Sequence, residues 1–111
     1  MNVLLVKPGE MPVTAEIDGS LRSMQDLVGG LIEAIYPFED PVALICNEEG
    51  KLQGMALNRA LFHPETGQIY DIIAGPFFLC GIGEWDFQSL EQDASEKYEA
   101  MFHYPELFLP G

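Results

Sequence analysis

The sequence predicts an α+β fold, a mixed and largely antiparallel sheet covered by two helices. Three observations lead to this class. Apolar segments of strand length recur along the chain, two segments have helical periodicity, and 48% of the 111 residues are hydrophobic. A chain of this length buries about two-thirds of its unfolded surface, enough for one core. Since no linker or repeat divides the sequence, we expect residues 1–111 to form a single domain.

The chain begins with a strand, a strand and a helix. Residues 2–7 are apolar on both faces, as in a central strand, and residues 12–17 alternate as in a half-exposed hairpin partner. Ser20 is placed to cap a helix that should end at the glycine pair 29–30, because glycine accepts the left-handed C-cap conformation. The order strand–strand–helix therefore opens the fold.

Three further strands are expected in the middle of the chain. Residues 31–36 form one, and residues 42–46 form another that is apolar on both faces and hence central. The Asn-Glu-Glu-Gly sequence at 47–50 predicts a hairpin turn, after which Lys51 should begin the partner strand. For residues 55–62 the periodicity leaves a helical turn and an irregular crossing both open.

The last third of the chain predicts strands and a helix. The apolar residues 68–73 and 76–82 are interrupted at Gly75-Pro76. Since proline cannot donate to a sheet ladder, we expect either a bulge or a break into two strands there. Ser89 followed by a glutamine three residues later matches a capping box that starts the final helix, and Pro105 should stop that helix near residue 103. The C-terminal helix completes the α+β pattern.

The charge balance excludes some classes of partner. Acidic residues number 18 against 5 basic ones, a net charge of −13. Bare nucleic acid and anionic membranes bind clustered lysine and arginine, so neither is an expected partner. No apolar run has the length of a membrane span, and the N-terminus lacks a signal-peptide pattern, so we expect a cytoplasmic location. Three roles for the acidic surface stay open. It keeps the protein soluble, it binds a basic protein partner, or it imitates DNA.

Residues for catalysis or metal binding form no recognisable motif. The sequence has no nucleophile motif and no complete glycine-rich phosphate loop. His63 and His103 are isolated, and Cys46 and Cys80 lie inside apolar runs, which is typical of buried, reduced thiols. We therefore expect no metal and no cofactor, and a binding protein rather than an enzyme.

One polar group within an apolar segment requires an explanation. Arg59 follows Asn58 and is surrounded by apolar neighbours, so its guanidinium needs a partner, which Asp71 or Asp40 could supply. An ion pair of this kind would pin residues 55–62 to the sheet. Alternatively, Asn58, Arg59 and Asp71 form a ligand-binding site in which the arginine anchors an anion or a backbone group.

Trp85, the only tryptophan, precedes the final helix in the sequence Gly-Glu-Trp-Asp-Phe. We expect its indole ring to plug the end of the core. The alternative is that it anchors a protein partner, because an exposed tryptophan is a typical binding hot spot.

Several ordered blocks give the chain a family resemblance. They are Lys7-Pro8-Gly9, Glu16-Ile17-Asp18-Gly19, Leu27-Val28-Gly29-Gly30, Tyr36-Pro37-Phe38-Glu39-Asp40, Asn47-Glu48-Glu49-Gly50-Lys51, Leu57-Asn58-Arg59-Ala60 and Ile69-Tyr70-Asp71-Ile72-Ile73-Ala74-Gly75. Together they resemble the domain of unknown function family 3846, small proteins of Firmicutes and related bacteria and of their mobile elements. The resemblance covers nearly the whole chain. It implies a short cytoplasmic accessory protein, and it transfers no activity and no catalytic residue.

Three functional hypotheses follow. The leading one is a non-enzymatic binding or accessory protein, of a phage or conjugative element, with a basic protein partner. The second is a small-ligand-binding protein or enzyme with its site at Asn58, Arg59 and Asp71. The third is an antirestriction-like DNA mimic, which would arrange its carboxylates in rows on one face. The sequence leaves the oligomeric state open, including a homodimer through the edge strand at residues 12–17.

Overall fold

The computed structural model describes residues 1–109 of the chain. Within them it has eight strands and two helices. In chain order they are β1 (Asn2–Val6), β2 (Val13–Glu16), α1 (Leu21–Val28), β3 (Ile32–Ile35), β4 (Val42–Asn47), β5 (Leu57–Phe62), β6 (Ile69–Ala74), β7 (Phe77–Ile82), β8 (Phe87–Gln88) and α2 (Gln92–Met101). The elements confirm the predicted α+β class. No helix within these residues is long and apolar enough to cross a membrane.

The main sheet has the strand order β2–β1–β7–β4–β3, and β8 pairs with the end of β7. Every pairing in the described part is antiparallel. Leu79 of β7 lies opposite Leu4 of β1 on one side and Leu44 of β4 on the other. The two strands predicted as central from their doubly apolar faces, β1 and β4, therefore flank the middle strand.

Successive residues of these strands supply two cores, one on each face of the sheet. One face carries Leu4, Val6, Leu44 and Leu79 and packs against Tyr98 of α2. The opposite face carries Val3, Leu5, Ala43, Ile45, Phe78 and Cys80 and packs against Met24 and Val28 of α1. The helices therefore cover opposite faces, and the period-2 alternation of side chains in a strand is what separates the two cores.

The first helix has the predicted ends. The Ser20 hydroxyl accepts a hydrogen bond from the Ser23 N–H at 3.1 Å, as an N-cap does. Gly29 is left-handed at φ +79°, and its N–H donates to the Gln25 carbonyl. A short polar cap and a glycine thus delimit α1 as expected.

The predicted strand beginning at Lys51 is wrong. Residues 48–54 form consecutive turns, and Leu52 is 88% exposed. β4 has no free edge to receive a hairpin partner, because β3 and β7 occupy both of its sides. The chain instead runs on to β5, so residues 55–62 form neither the helical turn nor the irregular crossing that the periodicity left open. Residues 57–62 are a strand that pairs with β6 in a separate two-stranded sheet.

Of the two alternatives at Gly75-Pro76, the break into two strands is confirmed. Gly75 adopts φ +84°, a conformation that favours glycine, and it separates β6 from β7. The two strands belong to different sheets, so this short link transfers the chain from the β5–β6 hairpin to the centre of the main sheet.

The final helix begins later than the capping box predicts. Glu91 is the N-cap residue of α2, and it makes no side-chain capping bond. The Ser89 hydroxyl instead accepts a hydrogen bond from the Asn2 N–H at 2.9 Å, and the Leu90 N–H donates to the Asn2 carbonyl. The Ser89 hydroxyl therefore binds the backbone of β1 instead of the first turn of α2, and the prediction that it caps the helix is wrong.

Both cysteines are buried and unpaired, as expected. Burial raises the pKa of the Cys46 thiol to about 11 and that of the Cys80 thiol to about 12. Both thiols are therefore protonated at neutral pH and pack as small apolar groups.

Candidate functional site

Arg59 lies in the packed interior with no exposed surface. Its Nε and Nη2 atoms donate to the Phe102 carbonyl at 3.2 and 3.0 Å, and Nη2 also donates to the Glu10 carbonyl at 2.6 Å. Its Nη1 atom donates to the carbonyl and side-chain oxygens of Asn58 at 3.3 and 2.9 Å. These contacts account for all five guanidinium N–H groups. Burial lowers the pKa of Arg59, and the Glu106 carboxylate partly opposes this change.

Asn58 extends the same buried network. Its side-chain nitrogen donates to the carbonyls of Val6 and Gly75, both at 2.9 Å. Asn58 therefore joins the end of β1 to the link before β7, while Arg59 joins β5 to the loop at Glu10 and to the end of α2. Together they pin the β5–β6 hairpin to the main sheet, and they do so through backbone oxygens.

The prediction that Asp71 or Asp40 pairs with Arg59 is wrong. Asp71 Oδ1 accepts a hydrogen bond from Lys51 Nζ at 2.6 Å, and Asp40 Oδ2 accepts one from Lys97 Nζ at 2.7 Å. Both carboxylates are only partly buried and pair with lysines at the surface, whereas Arg59 is enclosed among the carbonyls of chain ends and loops. The structure therefore does not bring Asp71 to Arg59.

Trp85 is 92% exposed at the turn between β7 and β8, so the prediction that it plugs the core is wrong. Phe87 occupies that place, since it packs against the core beneath α1. The turn is closed by a 2.8 Å bond from the Gly83 N–H to the Asp86 carbonyl, and Asp86 Oδ1 accepts the Phe87 N–H at 2.7 Å. The indole ring is therefore exposed on a tight turn, and its two neighbours in the chain, Glu84 and Asp86, are exposed as well.

The turn of Trp85 lies at an acidic end of the molecule. The Ile82 N–H donates to the Pro41 carbonyl at 3.1 Å, which places the start of the turn beside the loop before β4. A cleft of about 350 Å³ opens at this end, and its charged lining consists of the carboxylates of Asp40, Glu91 and Asp93 and one cation, Lys97, which pairs with Asp40. We call this region, from Trp85 to the cleft, the acidic end.

Asp40 is the most constrained carboxylate of the acidic end. Its Oδ2 atom accepts hydrogen bonds from Lys97 Nζ and from the Tyr98 hydroxyl, both at 2.7 Å. These two bonds hold the pKa of Asp40 below its ordinary value. Burial, together with Asp40, raises the pKa of Tyr98, so the phenol stays protonated and continues to donate.

The other carboxylates are spread over the surface. Apart from the partly buried Asp40 and Asp71, every acidic side chain is exposed. Asp26 lies on α1, and Asp93, Glu96 and Glu99 lie on or near α2, on the opposite face of the sheet. The carboxylates therefore form no set of rows on one face.

A second concave region is a mostly apolar groove between β5 and α2, of about 330 Å³. Its apolar lining is formed by Pro37, Phe38, Ala60, Leu61, Phe62, Pro64, Tyr98, Met101 and Phe102. Charged side chains are few, namely Glu39, Lys97 and Glu106. We call this region the β5–α2 groove.

Sequence reasoning did not single out Glu106, Lys97 or the Asp40–Tyr98 contact. Asp40 and Tyr98 are 58 positions apart, and Glu106 contacts Ala60 from 46 positions away. One signal was available for Tyr98, because a tyrosine on the apolar face of a helix needs a partner for its hydroxyl. Nothing local identifies which partner that is.

Potential metal ligands do not cluster. Within residues 1–109, no three His, Cys, Asp or Glu side chains are grouped as a metal ion would require. The two histidine rings lie edge-on to tyrosines, His63 to Tyr70 at 5.2 Å and His103 to Tyr104 at 4.7 Å between ring centroids.

The fold and its surface define an acidic α+β protein with one displayed tryptophan. The family model described as Domain of unknown function (DUF3846) matches residues 1–103, so the chain belongs to this family. This confirms the resemblance found in the sequence. No curated protein and no solved structure matches the chain. Because the family description names no activity, the function has to be inferred from the geometry of the surface.

Proposed function

We propose that this protein is a non-enzymatic binding or accessory protein that holds a basic protein partner at its acidic end. The observation that carries the proposal is the 92% exposure of Trp85 on a tight turn, where an acidic residue precedes and follows it in the chain. An indole face attracts the guanidinium of arginine and the ammonium of lysine, and tryptophan is enriched among binding hot spots. A flanking carboxylate can pair with the same cation.

The charge of the protein supports a basic partner. The net charge is −13, and the cleft beside the turn carries three carboxylates against one cation, because Lys97 pairs with Asp40 and leaves Glu91 and Asp93 without a paired cation among the described residues. This excess of carboxylates gives a negative potential. Such a potential accelerates encounter with a positively charged protein and disfavours acidic ones. The partner surface should therefore present arginine or lysine together with an apolar contact for the indole ring.

The geometry favours this proposal over its rivals. A ligand site at Asn58, Arg59 and Asp71 would need free donors, but the guanidinium N–H groups all have protein acceptors and Asp71 pairs with Lys51. A DNA mimic would need its carboxylates on one face, but they lie on both helices, which cover opposite faces. Neither rival has a supporting contact of its own.

The cellular setting belongs to the same proposal. The family resemblance implies a cytoplasmic accessory protein of a phage or conjugative element. A basic, DNA-processing protein of the same element would be a partner of suitable charge.

The experiment places the photoreactive amino acid benzoyl-phenylalanine at position 85, and in a matched protein at position 52. Leu52 is a good control because it is 88% exposed on a different turn. Irradiation in a lysate of a host that carries the gene should crosslink a protein from position 85 alone, at a peptide rich in arginine and lysine. The crosslinked protein is then purified for binding measurements.

Binding of the purified partner decides the matter. Trp85→Ala should weaken binding about 30-fold, the effect of a hot spot worth about 2 kcal/mol, while Leu52→Ala should leave it unchanged. Since Trp85 is the only tryptophan, its emission should shift to shorter wavelength in the complex. Equal affinity of the two variants, or an acidic crosslinked peptide, would refute the proposal.

A further inference from the structure

The free edge of β5 carries an unusual contact. β5 pairs with β6 on one side only. On its other side the N–H of Ala60, a buried residue, donates to both oxygens of the Glu106 carboxylate, at 3.3 and 3.2 Å. A backbone donor at a sheet edge thus binds the carboxylate of an exposed residue at the rim of the β5–α2 groove, which both residues line.

The charge of Arg59 makes this edge attractive to anions. Arg59 precedes Ala60, it is fully buried, and its acceptors are all neutral oxygens. No carboxylate within residues 1–109 forms a salt bridge with it. The Glu106 carboxylate is nevertheless close enough to raise the pKa of the guanidinium. A buried positive charge therefore acts on whichever anion accepts the Ala60 N–H.

Apolar surface adjoins the carboxylate position. Phe38, Phe62 and Met101 line the same groove, whose volume of about 330 Å³ is in the range of small-molecule sites. A mostly apolar cleft with a few placed polar groups is the usual form of such a site.

We propose that the β5–α2 groove binds an amphipathic carboxylate, a molecule with an apolar body and one carboxylate group that replaces Glu106 at the Ala60 N–H. The apolar body lies against Phe38, Phe62 and Met101. The occupant is a small aliphatic acid and not a peptide C-terminus, because the groove volume of about 330 Å³ is in the range of small-molecule sites. The site is separate from the acidic end, so this proposal does not depend on the protein partner proposed there.

Glu106 is held weakly enough to be displaced. The segment that carries it leaves Tyr104, Leu107 and Leu109 largely exposed, so little apolar burial fixes the segment in place. Replacing one carboxylate by another also leaves the charge next to Ala60 unchanged. The overall negative charge of the protein is therefore a smaller barrier here than at an unoccupied position.

Nuclear magnetic resonance on the ¹⁵N-labelled full chain tests the proposal with defined probes. Octanoate represents an aliphatic acid, and acetyl-Phe-Leu with a free carboxylate represents a peptide C-terminus. Octanol and the amide of the same dipeptide are the matched probes without a carboxylate. Octanoate should shift the Ala60 amide resonance in a saturable way and bind more tightly than acetyl-Phe-Leu. The neutral probes should bind at least about tenfold more weakly than the matching acids, because they lack the charge-assisted hydrogen bond.

Variants of Glu106 measure the competition. Glu106→Ala should tighten binding of the acid about tenfold by removing the internal competitor, and Glu106→Gln should have a smaller effect in the same direction. Glu99→Ala, which removes an exposed carboxylate of α2 outside this groove, should change affinity little. The proposal is overturned if octanoate does not shift Ala60, if acetyl-Phe-Leu binds more tightly than octanoate, if the neutral probes bind equally well, or if Glu106→Ala leaves the affinity unchanged.

Discussion

Replacing Arg59 with methionine should destabilise this protein more than almost any other single change. Methionine keeps much of the side-chain volume but has no donor. The carbonyls of Glu10, Asn58 and Phe102, and the side-chain oxygen of Asn58, would lose hydrogen bonds that Arg59 now donates. The substitution also removes a charge that is costly to bury, so two effects of opposite sign compete.

The unsatisfied acceptors should dominate. A buried acceptor left without a donor costs about 1–3 kcal/mol, and several acceptors are affected together. Removal of the buried charge offsets part of this destabilisation, and we expect the free energy of unfolding to fall by about 3–5 kcal/mol. Small domains unfold with a free energy of about 5–15 kcal/mol, so the loss is a large share of the total.

Urea unfolding followed by far-ultraviolet circular dichroism measures this change. Tryptophan fluorescence would be a poor probe, because Trp85 is already exposed in the folded protein. The matched control is Arg22→Met, since the Arg22 side chain is 87% exposed and lies 4.0 Å from Asp26. An exposed pair of this kind is worth at most about 1 kcal/mol. If Arg59→Met costs no more than Arg22→Met, the hydrogen bonds of Arg59 do not stabilise the fold as inferred.

Two further predictions concern Asp40 and Gly50. Because hydrogen bonds from Lys97 and Tyr98 lower the pKa of Asp40, the carboxylate stabilises the folded state at neutral pH, and this contribution is lost as the pH falls through its folded-state pKa. Asp40→Asn should therefore melt at a lower temperature than the wild type at pH 7, and the difference should narrow at pH 3. Gly50→Ala should cost about 2–3 kcal/mol, because a Cβ atom there would lie 2.5 Å from the Ala74 carbonyl oxygen.

Each of these predictions has a control. Glu99→Gln removes an exposed carboxylate of α2 and should change the melting temperature little at either pH. A difference between wild type and Asp40→Asn that is the same at pH 7 and pH 3 would contradict the assignment for Asp40. Gly54→Ala meets no atom within 4 Å but requires a residue at φ +70°, so it should cost about 1 kcal/mol. Equal stability of the two alanine variants would contradict the steric account of Gly50.

Local pattern was sufficient where one physical signal decided the outcome. Residues 2–7 and 42–46 are apolar on both faces, and they are the strands β1 and β4 that flank the middle of the sheet. Ser20 delimits α1 because a hydroxyl at that place satisfies a free backbone donor. Trp85 shows where pattern failed, because an apolar residue near the core ends up exposed when its neighbour Phe87 fills the space.

By itself, the sequence determined the α+β class, most strand positions and the acidic character, because each depends on residue type and local periodicity. Its ordered residue blocks carried the family resemblance, which the family model confirms. Only the tertiary structure decided which oxygens accept the hydrogen bonds of Arg59. It also decided that the Ser89 hydroxyl accepts the Asn2 N–H of β1, and that the Glu106 carboxylate accepts the Ala60 N–H. Apart from Asn58, which directly precedes Arg59, the bonded groups are far apart in the chain, and several acceptors of similar chemistry were available. The acceptor that a buried donor reaches depends on how the β5–β6 hairpin and α2 pack against the main sheet. This packing cannot be read from the spacing of residues in the sequence.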